Sequence, residues 1–361
     1  MKEKIVVVCP GRGSYTKETL GYFRKYVAGS GETGAAKNKA KNFIQELDSH
    51  RKDLQQPTLS ELDSAASFQV NLHTKGEHAS PLIYACSALD FMAIDRDRFE
   101  IVAVTGNSMG WYITLGLGGA LDHRGAFDVI NTMGSMMKDQ IIGGQVIYPV
   151  VDAQWKKDSK KEELVFQILQ NINKQEGHEA YLSIRLGGYL VFGGNALGIK
   201  ALLKDLPKEE DYPFQLINHA AFHTPLLRQT SDRAFQALKQ DLFHSPKIPL
   251  VDGRGKIWQT YSSEVSKLYD YTFNHQVVAP YNFSAAITVC LKEFMPDRIV
   301  LLGPGNSLGG SIGQIMIEND WKGIKTKADF SALQKANPFL ISMSIQEQAA
   351  RLLPQAAVIP N

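Results

Sequence analysis

The stretch that most constrains the fold is residues 101–121, IVAVTGNSMGWYITLGLGGAL. Strand-forming residues 101–104 run into a turn of small residues, and a long apolar segment with helical spacing leaves it. Ser108 sits in that turn between Gly106 and Gly110. A Gly-x-Ser-x-Gly turn between a strand and a helix needs residues without bulk, and it lifts the serine hydroxyl above the sheet edge. Free N–H groups at the start of the following helix then face any oxyanion that develops beside the serine. The same pattern also occurs as a bare packing turn, so the serine needs partners elsewhere in the chain.

The rest of the sequence repeats the alternation. KIVVVC, residues 4–9, is a buried-strand pattern ending at the turn signal PGRGS. SPLIYACSALDFMAI has the spacing of a core helix, and FEIVAVTG is the next strand. Residues 144–217 read as strand, helix, two strands, helix and strand, which fits a small split β-α-β unit inserted into a larger domain. The parent pattern resumes with helix PLLRQTSDRAFQALKQDL, strand IPLVDG, helix NFSAAITVCLKEF and strand DRIVLLGPG. The expected architecture is α/β: a hydrolase-like core with a parallel sheet, residues 1–143 and 218–361, plus a small inserted subdomain, residues 144–217. The last 45 or so residues carry little pattern and are expected to wrap the surface.

Composition narrows the function classes. The 361 residues are 44% hydrophobic, enough for a large core. Lys plus Arg number 39 against 37 Asp plus Glu, leaving no global field for nucleic acid or an anionic membrane. Cys9, Cys86 and Cys290 are widely spaced and form no CxxC pair, which points to a reducing compartment. No apolar stretch reaches the ~20 residues of a membrane span, and the chain is expected to be cytoplasmic. No His, Cys or carboxylate cluster has metal-ligand spacing. The Gly-x-Gly of PGRGS lacks the third glycine of a dinucleotide fingerprint and the Gly-Lys-Ser/Thr of a phosphate loop.

A serine nucleophile needs a base. Among nine histidines, His223 in INHAAFHTPLL ends a strand-like run just before a helix, whereas His219, four residues earlier, reads as structural. With this segment the chain resembles the malonyl-CoA:acyl-carrier-protein transacylase family, which includes the acyltransferase domains of fatty acid and polyketide synthases. PGRGS resembles the family's P-G-Q-G-S loop, GNSMG its G-H-S-L-G elbow, AFHTPLL its A-F-H-S-P-L-M segment and GPGNSLGG its G-P-G-x-x-L-x-G loop. HQVVAPYNF is similar to R-Q-L-x-x-P-V-x-W. The match runs in order from residue 5 to about 312, and the inserted unit falls where the family carries a ferredoxin-like subdomain.

The resemblance implies an acyltransferase with Ser108 as nucleophile and His223 as general base. It places the carbonyl that orients the histidine at Gln276 and the oxyanion donors at the backbone N–H groups of Arg12 and Met109. It implies no permanently bound cofactor: acyl-CoA is the donor, and the phosphopantetheine thiol of an acyl carrier protein is the acceptor. A carrier-protein acyl hydrolase of the same fold and a non-enzymatic carrier-binding module are the alternatives. Departures from the family pattern concern the substrate pocket. The arginine that pairs with a malonyl carboxylate falls on Met133, which suits a neutral, apolar acyl group. Asn107 and Trp111 replace a histidine and an acidic residue beside the nucleophile, reshaping the pocket mouth. Phe222 precedes the base, and Arg185, in SIRLGG, is the candidate to restore the missing cation.

Overall fold

A computed structural model describes residues 1–27, 34–138 and 141–354. Its larger sheet has six strands in the order β11-β10-β1-β2-β7-β8. These are β1 (Glu3–Cys9), β2 (Phe99–Gly106), β7 (Leu250–Val251), β8 (Ile257–Trp258), β10 (Arg298–Leu301) and β11 (Leu340–Ser342). All neighbours are parallel except β7 and β8. β1 lies at the centre, and Ile5 to Cys9 are wholly buried. This explains the unbroken apolar run: a parallel strand covered on both faces has no solvent side to mark with alternation. Helix α1 (Gly34–Asp53) and helix α2 (Gly76–Ala93) precede β2, and α2 is buried along most of its length. Helix α3 (Gly110–Leu117), leaving β2, is buried at every position. Helix α4 (His123–Ser135) packs against α2 and α3.

The second sheet has the order β6-β3-β5-β4-β9. It contains β3 (Gly144–Pro149), β4 (Ala180–Leu186), β5 (Tyr189–Gly194) and β6 (Phe214–Gln215), with helices α5 (Ser159–Ile172) and α6 (Ala196–Asp205) between them. Val146, Phe192, Ile172 and Leu202 belong to a hydrophobic cluster separate from the main core. The unit is not closed within residues 144–217, because β9 (Tyr281–Asn282) joins β4 in parallel at one edge. Helix α7 (Phe283–Phe294) leaves that strand at once.

The end of the chain differs from expectation. Residues 340–342 form β11, paired in parallel with β10, and Phe339, Ile341, Met343 and Leu352 are buried in the main core. A three-residue strand is too short to display a period, so the sequence carried no signal for it. Cys9, Cys86 and Cys290 are all buried and unpaired. Among the described residues no helix is long and apolar enough to cross a membrane.

Candidate active site

The turn between β2 and α3 is built by its glycines. A Cβ on Gly106 would lie 2.5 Å from the carbonyl oxygen of Gly110, and one on Gly110 would lie 2.5 Å from that of Cys9. Only hydrogen fits at either position. The tight path forces Ser108 to φ 56°, a left-handed conformation that costs a serine energy and is held by the packing around it. Its Oγ points at the Nε2 of His223, 2.7 Å away.

His223 also has positive φ, 58°. Its Nδ1 lies 2.6 Å from the carbonyl oxygen of Gln276. A carbonyl can only accept, so Nδ1 carries the proton and Nε2 presents a free lone pair to the serine hydroxyl. Burial pushes the imidazole down to about 4, against the Gln276 hydrogen bond, which favours the charged form. At neutral pH the ring is therefore a neutral base.

The side chain of Gln276 ties the same point together: its Nε2 donates to the Ser108 carbonyl at 3.1 Å, and its Oε1 accepts from the Tyr112 hydroxyl at 2.8 Å. On the other side Ser183 of β4 donates to the Phe222 carbonyl at 2.8 Å and accepts from Gln145 of β3 at 2.7 Å. The histidine is thus held by a short helix at Gln276, and the residue before it by two strands of the smaller sheet.

Ser108 and His223 open on a cavity of about 450 Å³ between the sheets. Arg12, Asn107, Met109, Met133, Phe222 and Gln276, all singled out in the sequence, line it. Two expectations need correction. Trp111 is wholly buried under the elbow, with its indole N–H on Thr272 at 3.1 Å, and does not reach the cavity. Its place in the first turn of a fully buried helix decides this. Arg185 lies on the opposite face of β4 from the cavity-lining Ile184 and Leu186, because side chains alternate along a strand. There it pairs with Glu162 of α5 at 2.6 Å.

Three further polar side chains bear on the site: His219, which the sequence analysis read as structural, and Gln145 and Ser183, which it did not single out. His219 lines the cavity and bonds Gln145 through Nδ1 at 2.9 Å, although it does not reach Ser108's hydroxyl as His223 does. Gln145 and Ser183 are buried polar residues in strands, Ser183 opening the SIRLGG stretch that was noted only for Arg185; their signal was a polar side chain beside apolar neighbours. Among the described residues no group of three His, Cys, Asp or Glu side chains is placed to hold a metal ion.

Solved structures share this arrangement of elements across nearly the whole chain. The malonyl-CoA:ACP transacylase of a Synechocystis species superposes with TM-score 0.71 at 17% identity, covering 98% of this chain and all of that one. The fold is that of a transacylase. The Coxiella burnetii malonyl-CoA-acyl carrier protein transacylase gives 0.74 at 16% identity over 98% of both chains. The acyl transferase domain of ZmaA gives 0.66 at 16%, covering 94% of this chain and 70% of that one. No family model and no curated protein matches the sequence.

Proposed function

We propose that this protein is an acyltransferase that takes an acyl group from a CoA thioester onto Ser108 and passes it to the phosphopantetheine thiol of an acyl carrier protein, in fatty acid or polyketide synthesis. The observation that carries the reading is the relay from Ser108 Oγ to His223 Nε2, 2.7 Å, and from Nδ1 to the Gln276 carbonyl, 2.6 Å, at the wall of a large cavity. His223 takes the hydroxyl proton as Oγ attacks the thioester carbonyl. The C–S bond then breaks, and the imidazolium returns the proton to the departing CoA sulfur. In the second half the carrier thiol gives its proton to His223 and attacks the acyl-serine, and Ser108 recovers the proton as it leaves. The backbone N–H groups of Met109 and Arg12, both at the cavity wall, are the donors for the oxyanion in each half.

The imidazolium needs no carboxylate beneath it. The Gln276 carbonyl fixes the tautomer and offers a dipole to the transient charge. The apolar lining, including Met136, Met137, Leu227 and Val277, favours a thiol over water as the second nucleophile. Intact-mass measurement after incubation with a panel of acyl-CoAs tests the reading. One acyl adduct is expected, absent in Ser108→Ala and discharged much faster by phosphopantetheinylated carrier than by water. An adduct surviving in Ser108→Ala would overturn the mechanism, and discharge by water indifferent to carrier would make the protein a hydrolase.

A further inference from the structure

The stretch that carries the Arg12 N–H, from Pro10 to Phe23, has no helix or strand beyond one turn of 3-10 helix at Lys17–Thr19. Something other than a ladder must hold it, because an amide donor stabilises an oxyanion only when its direction is fixed before the reaction. Two buried carboxylates do so. Asp63, at the end of the short helix Leu59–Asp63, is 3% exposed; it accepts from the Tyr15 hydroxyl at 2.7 Å and from the N–H groups of Tyr22 and Phe23, both at 2.9 Å. It thereby clips residue 15 to residues 22 and 23 and closes the stretch into a loop. Asp90, wholly buried on α2, accepts from the Tyr22 hydroxyl at 2.8 Å, from the hydroxyl of Tyr26 and from the Lys25 ammonium at 3.3 Å. Tyr22 thus bridges the two carboxylates, one through its N–H and the other through its hydroxyl.

Asp90 also reaches the loop through a second segment. Its Oδ2 accepts the Gly303 N–H at 2.6 Å, and Ser87, one turn earlier on α2, donates to the Gly303 carbonyl at 2.6 Å. Gly303 opens GPGNSLGG, whose Ser307 and Leu308 line the cavity. Two residues on, Gly305 packs against the N-terminal loop: a Cβ there would lie 2.8 Å from the Ser14 carbonyl oxygen. Before Arg12, a Cβ on Gly11 would lie 2.9 Å from the Asn107 carbonyl oxygen. The Arg12 amide is therefore bracketed by Gly11 against the elbow, Ser14 against Gly305 and Tyr15 on Asp63. Tyr15, Tyr22, Asp63, Ser87 and Asp90 all lie outside the cavity lining, so they act through the loop and not on the substrate.

Resting on the acyl-transfer reading, we propose that Asp63 and Asp90 are positioning residues of the oxyanion hole. Acting through Tyr15, Tyr22 and Gly303, they aim the Arg12 N–H at the oxygen of the tetrahedral intermediate. A carboxylate suits the task because it accepts from several donors at once and donates to none. An amide of the same shape turns N–H groups towards donors and leaves one of them unpaired. Burying two carboxylates is costly, and the donors each collects offset that cost. Apolar side chains of similar size would serve stability as well, so the carboxylates answer a demand for direction.

The test separates the transition state from the ground state. The probe is trifluoroacetonyl-CoA, a ketone analogue of the thioester. Ser108 Oγ bonds to its ketone carbon, the carbonyl π pair moves onto oxygen and His223 takes the hydroxyl proton, so the adduct carries the oxyanion and nothing leaves. In Tyr15→Phe, Asp63→Asn and Asp90→Asn its affinity should fall about ten-fold or more, short of the roughly 10²–10³-fold that a deleted donor costs. The single-turnover acylation rate should fall by the same factor. Acetyl-CoA binding to Ser108→Ala should change by no more than about two-fold when any of the three is added, since the ground state carries no oxyanion. Leu47→Ala, a truncation of the buried core on α1, should lower the melting temperature and leave the analogue's affinity unchanged. Analogue affinity retained in a folded variant, a loss matched in ground-state binding, or an equal loss in Leu47→Ala would overturn the assignment. If the two Asn variants fail to fold, Tyr15→Phe, which keeps the ring, decides alone. Failure of every acyl-CoA to label Ser108 would instead overturn acyl transfer, while the ketone analogue still reads the oxyanion site.

Discussion

At the residue scale, His223 has the sharpest consequences. An unassisted serine hydroxyl is a poor nucleophile, so His223→Ala should slow acylation by about 100-fold or more in a single-turnover mass assay. Because burial holds the imidazole near 4, the acylation rate should stay level from pH 8 to below pH 6 and fall only as the pH approaches that value. An inflection near the ordinary histidine value of ~6.5 would mean that the ring is solvated in solution. Arg185 offers a contrast. Its pair with Glu162 lies on the far face of β4 and is partly exposed, so Arg185→Ala should cost no more than about 1 kcal/mol of stability in urea unfolding. The sequence led to Ser108 and His223 through local motifs and to Gln276 through the family resemblance those motifs carry, and the three lie in hydrogen-bond contact. It misplaced Trp111 and Arg185 because facing is decided by the element, and the substitution of a polar or charged letter does not say which side of a helix or strand bears it.

At the scale of elements, the elbow is a close approach of three backbones. Gly106→Ala or Gly110→Ala should lower the melting temperature, by roughly 1–3 kcal/mol of stability or more, because the new Cβ meets carbonyl oxygens of Gly110 or Cys9 that cannot step aside. Differential scanning calorimetry of either variant checks this. Such turns are legible from sequence because glycine spacing and the flanking patterns together leave few alternatives. Short strands are not. β7, β9 and β11 have two or three residues each, and their pairing is decided by what lies beside them. The pairing of β9 with β4 was invisible for that reason, although the sequence HQVVAPYNF that contains it was singled out for its histidine-orienting carbonyl.

At the scale of the whole molecule, stability should depend on pH through buried imidazoles. Burial lowers His78 and His223 to about 4 in the fold, whereas an unfolded chain returns them to ~6.5. The unfolded state then takes up protons first as the pH falls, so their contribution is complete above about 6.5 and is lost progressively towards 4. Urea midpoints should drop between pH 7.5 and 5, by up to about 2 kcal/mol for each of the two. A midpoint that does not move would show that these rings are not buried. The crossing of β9 into the smaller sheet bears on how such a protein can be re-engineered. Gln276 and β9 lie on one short stretch, and that stretch carries the dyad's carbonyl before it docks as the edge strand of the neighbouring sheet. A chimera that exchanges only residues 144–217 would receive a foreign sheet whose border strand still belongs to the host, with Gln145 and Ser183 replaced and the Phe222 carbonyl left without its donor. The transplantable unit has two separate pieces of chain, and the graft must take residues 276–282 along with the insert.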